Sequence, residues 1–149
     1  MNILVTGAAG FIGSNLTDSL LEKNENVIAV DDFNDFYDPK IKEENLEGAI
    51  KTPNFKLYRG DIRDKDFIEK IFKENSIDVV CHLAARAGVR PSLQDPVLYE
   101  EVNCLGTLNL LEAAKRHPVK NFVFASSSSV YGINSKVPFS EDDPIAQPI

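Results

Sequence analysis

Thr6-Gly7-Ala8-Ala9-Gly10-Phe11-Ile12-Gly13 is the stretch that decides the fold. It follows the apolar run Ile3-Leu4-Val5 and precedes a helical pattern. A short apolar run that stops at a glycine fits a strand buried on both faces. Beyond the glycines, Ile12, Leu16 and Leu20 recur at every fourth position, with Leu21 beside them, and mark one face of a helix. Strand, glycine turn and helix together form the context a phosphate-binding turn requires. Gly7 lets the chain turn sharply off the strand. Gly10 lets the backbone approach a diphosphate, and Gly13 lets the helix pack close to the sheet. Unpaired N–H groups and the positive end of the helix dipole complete the anion site. The spacing is G-x-x-G-x-x-G, not the commoner G-x-G-x-x-G, so the turn needs support from elsewhere in the chain.

The rest of the chain continues the alternation. Val27-Ile28-Ala29-Val30 reads as a second strand ending at Asp31-Asp32. Phe33 to Tyr37 reads as a loop. Asp38-Pro39 is a helix start, with Asp at the N-cap and Pro at the first helical position. That helix, to about Ile50, is weakly apolar and is expected on the surface. Phe55 to Tyr58 is a third strand. Asp64 caps a helix whose Phe67, Ile68, Ile71 and Phe72 share a stripe. Val79-Val80-Cys81 is a fourth strand. Asp95-Pro96 opens a long helix carrying Leu98, Val102, Leu105, Leu108 and Leu111. Phe122-Val123-Phe124 is a fifth strand, running into Ser126 to Ser129. Alternating strands and helices imply right-handed crossovers and a parallel, doubly wound α/β sheet.

The second support for the turn is Asp31. It ends the next strand, at the separation expected of an acid that accepts hydrogen bonds from ribose hydroxyls. A carboxylate there repels a 2′-phosphate, and no arginine follows it closely. NAD is therefore expected in preference to NADP.

Composition excludes several further classes. With 43% apolar and 26% charged residues, the 149-residue chain is an ordinary globular domain. A formal net charge of -7, with scattered lysines and arginines, argues against nucleic acid or anionic membrane as partner. Cys81 and Cys104 form no metal-binding or disulfide pattern. No basic-then-apolar leader opens the chain, and no apolar run nears the roughly 20 residues of a membrane span. The cytoplasm is the expected location.

Thr6 to Gly13, Asp61-Ile62-Arg63-Asp64, His82-Leu83-Ala84-Ala85, Asn103 with Gly106-Thr107, and Ser126 to Gly132 occur in the order and at the intervals of one family. The whole chain resembles the extended short-chain dehydrogenases/reductases, in their nucleotide-sugar epimerase and dehydratase branch. Asp31 to Pro39 and Ala87 to Ser92 are most similar to the UDP-glucuronate 4-epimerases. The resemblance implies a Rossmann-type fold, with 1–131 as the NAD-binding domain and 132–149 as a loop.

It also implies roles. Gly7, Gly10, Phe11, Ile12 and Gly13 would hold the cofactor's diphosphate. Asp31, Asp32 and Asn34 would hold its adenosine ribose. Asp61 and Ile62 would flank the adenine. Leu83, Ala84 and Ala85 would line the path past the phosphates, and Asn103 would project toward the same strand end. The second reading of Asn103 is a helix residue tying down a neighbouring loop. Ser127 matches the catalytic serine or threonine that hydrogen-bonds the sugar 4-oxygen. Ser128, Ser129 and Arg90 are substrate-contact candidates. His82 reads as a packed, hydrogen-bonded residue with no chemical role.

The implied chemistry is oxidation of a UDP-sugar at C4 and return of the hydride to the other face. It needs a Tyr-x-x-x-Lys pair, which this sequence does not contain. The expectation is an N-terminal portion of an epimerase, inactive alone and self-associating through an open sheet edge. A 4,6-dehydratase would carry an Asp-Glu pair where Ser128-Ser129 stand. A decarboxylase of the same family and a non-catalytic NAD-binding module both remain compatible with these residues.

Overall fold

The computed structural model describes residues 1–132 and 137–145. Five parallel strands form its sheet: β1 (Asn2–Thr6), β2 (Asn26–Asp31), β3 (Phe55–Arg59), β4 (Val79–His82) and β5 (Asn121–Phe124), in the order β3-β2-β1-β4-β5. The order reverses between β1 and β4. At that switch point the crossovers leave to opposite faces and open a crevice beyond the strand C-termini.

The side chains of β1 alternate between two cores, as the pleat demands. Leu4, with Ile28 and Val80, faces helices α3 (Lys65–Glu74) and α6 (Thr107–Arg116). Ile3 and Val5, with Val27 and Ala29, face α1 (Phe11–Glu22) through Leu16, Leu20 and Leu21. Ile12 does not join that stripe. It sits in the first turn, where its side chain is 67% exposed, and Thr17 and Gly13 are buried instead. Asn24 ends the connection in the left-handed conformation, at φ 58°.

Three expected caps hold their helices. Asp38 accepts from the Lys40 N–H at the start of α2 (Pro39–Leu46), and Asp64 accepts from Asp66 and Phe67. Asp95 accepts from Leu98 at the start of α5 (Pro96–Glu100). Between them lies an unforeseen short helix, α4 (Val89–Gln94). Two further expectations need correction. α2 and the 3₁₀ turn after it are not confined to the surface, because Leu46 and Ala49 pack with Ala9 and bury completely or nearly so. The long helix from Pro96 to Arg116 is interrupted by a π-helical segment, Glu101–Gly106. Apolar periodicity does not distinguish an α turn from a π turn.

Beyond β5 the chain makes a 3₁₀ turn, Ser128–Tyr131. The expected loop over 132–149 is described only at Gly132 and 137–145, where it is irregular and stacks Phe139 on Tyr131, ring centroids 4.8 Å apart. Residues 133–136 and 146–149 lie outside the described residues. Among the described residues no helix is long and apolar enough to cross a membrane.

Candidate functional site

The glycine turn lies at the switch point, where backbone crowding explains each glycine. Gly7 has φ +67°, and a Cβ there would lie 2.9 Å from the Ala84 nitrogen. A Cβ on Gly13 would stand 2.1 Å from the Gly7 carbonyl oxygen. Gly13 thus lets α1 close on the turn itself, not on the strands as the sequence suggested. Gly10 meets only the Gly7 oxygen, at 3.2 Å, and is otherwise open. Gly10 caps α1 without a side-chain hydrogen bond. The first N–H groups of α1, those of Phe11 and Ile12 included, therefore face outward as free donors.

A cleft runs from this turn across the C-terminal ends of the strands. Gly7, Gly10, Asp31, Asp32, Asn34, Asp61, Ile62, Leu83, Ala84 and Ala85 all line it. Most of the expected cofactor residues thus meet on one surface. Phe11, Ile12 and Gly13 sit at its glycine-turn end.

Asp31 is 6% exposed and already has three partners. Its Oδ2 accepts from the Ala9 N–H at 3.0 Å, and its Oδ1 from Phe33 N–H at 2.9 Å and Lys42 Nζ at 3.4 Å. The acid therefore ties β2 to the glycine turn as well as lining the cleft. A carboxylate offers about four acceptor sites, so one direction on Oδ2 remains. Lys42 was not foreseen as a site residue. It is 5% exposed, reaches Asp32 at 3.8 Å and lies 5.3 Å from the centre of the Tyr37 ring. No arginine follows Asp31, but a lysine stands against it. The signal was a cation one turn into a helix opened by Asp38-Pro39.

Asp32 accepts from the backbone and side-chain N–H groups of Asn34, which fixes that loop. Asp61 is held by Arg63, whose Nε and NH2 donate to Oδ2 at 2.9 and 2.7 Å while its backbone N–H donates to Oδ1. Arg63 also reaches Glu101 at 2.8 Å. Burial pushes the Asp61 carboxyl up, but the Arg63 hydrogen bonds and the charges of Arg63 and Arg86 outweigh it and keep the group below the ordinary carboxylate range. Ile62 packs onto Gly106, where a Cβ would come within 2.6 Å of its Cδ1. That contact explains the glycine of the Gly106-Thr107 pair.

His82 is buried in a closed chain of hydrogen bonds. Thr107 donates to the Asn103 carbonyl, so it accepts from His82 Nε2–H at 2.9 Å. His82 Nδ1 then accepts from the Thr6 hydroxyl at 2.7 Å, and that hydroxyl accepts from the N–H groups of Leu83 and Ala84. These partners assign the neutral Nε2–H tautomer. Burial agrees, holding the His82 pKa down to about 4. The residue is structural, as its place at the end of a strand implied.

Asn103 is the loop-tying residue. Its Oδ1 accepts from the Arg86 N–H at 2.8 Å and its Nδ2 donates to the Arg86 carbonyl at 3.0 Å. Both ends of the amide are spent on one backbone residue, and Asn103 is not among the cleft-lining side chains. It positions the Leu83–Arg86 segment.

Ser127 stands past the end of β5, where the Ala125 N–H donates to the His82 carbonyl at 3.1 Å. Its Oγ accepts from the Ser129 N–H at 3.2 Å, an ordinary serine turn. Ser127, Ser128, Ser129 and Arg90 are all exposed, outside the cleft but on the same C-terminal side of the sheet. Among the described residues no group of His, Cys, Asp and Glu is arranged to hold a metal.

A glycine-cradled crevice at the switch point of a parallel sheet, closed by an acid at the end of β2, defines a Rossmann-type nucleotide-binding unit. Residues 4–148 match the family described as GDP-mannose 4,6 dehydratase. The chain belongs to this NAD-dependent epimerase/dehydratase family of extended short-chain dehydrogenases/reductases. It is 47% identical to a UDP-glucuronate 4-epimerase of Thermodesulfobacterium geofontis, over 98% of this chain and 45% of that one. The UDP-glucuronic acid 4-epimerase of Bacillus cereus, solved with UDP-glucuronic acid and NAD, superposes with a TM-score of 0.88 at 40% identity, over 100% of this chain and 46% of that one. The UDP-glucose 4-epimerase of Bifidobacterium longum, solved with NAD+ and UDP, gives 0.85 at 38%, over 97% and 42%. The chain thus spans less than half the length of these relatives.

Proposed function

We propose that this chain is the cofactor-binding part of an NAD-dependent UDP-sugar 4-epimerase, with UDP-glucuronate as the sugar nucleotide. The observation that carries the cofactor reading is the cradle at Gly7 and Gly13, which any side chain would fill. It sits at an uncapped helix start and opposite an acid. That donor set suits a diphosphate beside a ribose with free hydroxyls. The N–H groups of Phe11 and Ile12 receive the phosphate oxygens. Asp31 Oδ2 takes one ribose hydroxyl, and Asp32 and Asn34 border the same ribose. Asp61 and Ile62 bound the adenine, the free side of the Asp61 carboxylate accepting from its amino group. Leu83, Ala84 and Ala85 leave room for the dinucleotide to pass.

NAD supplies the hydride acceptor and donor for oxidation and reduction at the sugar C4. The protein's part is to orient and to move protons. Ser127 keeps its O–H free while its oxygen accepts from Ser129, so it has a donor for the sugar 4-oxygen. Ser128, Ser129 and Arg90 lie where the sugar would meet this end of the sheet. The proton acceptor is a Tyr-x-x-x-Lys tyrosine that this sequence lacks. The chain alone is therefore inactive. The absence of an Asp-Glu pair after Ser127 favours epimerisation over 4,6-dehydration.

Titration calorimetry with NAD and NADP tests the cofactor reading. NAD is expected to bind more tightly, and tighter NADP binding overturns the assignment. Incubation of the chain with NAD and UDP-glucuronate, followed by NMR of the sugar, should show no 4-epimer. Measurable turnover refutes the claim of inactivity.

A further inference from the structure

The cleft contains a cation that none of these roles uses. Arg86 lines it, and its Nε is buried with no hydrogen-bond partner. Arg59, Arg63 and Arg116 all pair with carboxylates, at Glu43, at Asp61 and Glu101, and at Glu69. Arg86 pairs with none among the described residues. The nearby acid, Asp61, is occupied by Arg63. A buried Nε–H without an acceptor is costly unless a ligand satisfies it.

The backbone places this cation deliberately. Asn103 grips Arg86 at both its N–H and its carbonyl, from within a π-helical segment. Such segments recur at functional sites. Two residues earlier, the Ala84 nitrogen lies so close to Gly7 that a Cβ there would sit 2.9 Å away. Arg86 is at most about 7 Å further along the chain. Its backbone thus runs beside the glycine turn, and its charge is felt at Asp61 across the same cleft. The group that needs a fork of donors at that place is a diphosphate, which arginine meets bidentately.

We propose that Arg86 is a diphosphate contact of the dinucleotide cleft, supplementing the backbone donors of the glycine turn. This rests on the dinucleotide reading above. Because Asn103 holds Arg86 by its backbone, replacing the side chain leaves that clamp intact. Calorimetry on the 149-residue chain would use NAD, ADP-ribose and adenosine as probes, with the wild type, Arg86→Gln and Arg86→Lys. Arg86→Gln is expected to weaken NAD and ADP-ribose tenfold or more, on the order of one charge-assisted contact. Adenosine, which has no phosphate, should bind as before. Arg86→Lys should fall between the two, since it restores the charge but not the fork. The salt dependence of ADP-ribose binding should be shallower in Arg86→Gln than in the wild type. Unchanged ADP-ribose affinity in Arg86→Gln, or an equal loss for adenosine, overturns the assignment of Arg86 alone. A wild-type chain that binds neither NAD nor ADP-ribose overturns the dinucleotide reading and this one with it.

Discussion

The centre and the edge of the sheet use the same strand-building residues to opposite effect. In β1, Leu4 and Val5 are 0% exposed, each packed on its own core. In β5, Val123 and Phe124 are 49% and 54% exposed, and Leu105, Leu108 and Leu111 of the long helix are exposed as well. The cofactor cleft lies over the buried centre, where Asp31, His82 and the glycine turn are tied together by hydrogen bonds. The serines Ser126 to Ser129 follow the exposed strand. The proposed cofactor cleft thus belongs to the buried region, while the serines proposed to meet a sugar follow a strand with exposed apolar side chains.

Leu4→Ala and Val123→Ala test this contrast most directly. The first should cost about 2–5 kcal/mol, as expected for a buried leucine. The second should stay within about 0.5 kcal/mol, as for an exposed position. Urea denaturation of both measures the difference, and equal midpoints would erase the contrast.

Lys42→Met probes the ties beneath the cleft. It leaves Asp31 buried with its backbone donors but no cation, and should cost about 3 kcal/mol. It should also weaken NAD, since the Asp31 rotamer loses a partner. A variant as stable as the wild type, with unchanged NAD affinity, would show that Asp31 needs only its backbone partners.

His82 gives the next effect through pH. Its folded pKa of about 4 lies below the ordinary value of 6.5, so the unfolded chain takes up the proton first. The stability contributed by neutral His82 is complete above pH 6.5 and is lost as pH falls toward 4. Between pH 7 and pH 5 the loss should be about 2 kcal/mol. His82→Gln should flatten that slope, and a variant that keeps it would place the titration elsewhere.

The smallest effect belongs to the surface. The Glu69 carboxyl, hydrogen-bonded by His117 and Arg116, titrates at about 2 instead of 4.5. The stability of that pairing is present above pH 4.5 and is lost as pH falls through 2. It is a solvent-facing cluster, so added salt should weaken it. Acid unfolding of Glu69→Gln, compared at low and high salt, reads this out.

Most of the fold was legible because it is local. Strand runs, Asp-Pro helix starts and the Asp64 cap each act within a few residues. Asp31 and the glycines were legible as a pair because their spacing reflects one strand–helix–strand unit. Lys42 was not, since a lysine on a weakly apolar helix looks like solvent-facing charge until the helix is laid against β2. Asn103 was legible as a tie to a loop and Arg86 as a cation able to meet a diphosphate, but their pairing was not, because it is a contact across 17 residues. Ile12 was misplaced because helical period says nothing about which turn starts outside the packed layer.

The π segment at Glu101–Gly106 sets the phase between the two ends of the long helix. An α-helix advances about 100° per residue, so an extra residue absorbed into one turn shifts the phase of everything beyond it. Within the segment and just before it, Asn103 and Tyr99 hold the loop that carries Arg86. Downstream, Leu110 and Ala113 are keyed to the core under α3. Deleting a single residue here would restore a regular helix and bring one of those two faces out of register. Such a deletion would preserve nearly the whole composition of the helix while uncoupling the cleft from the core.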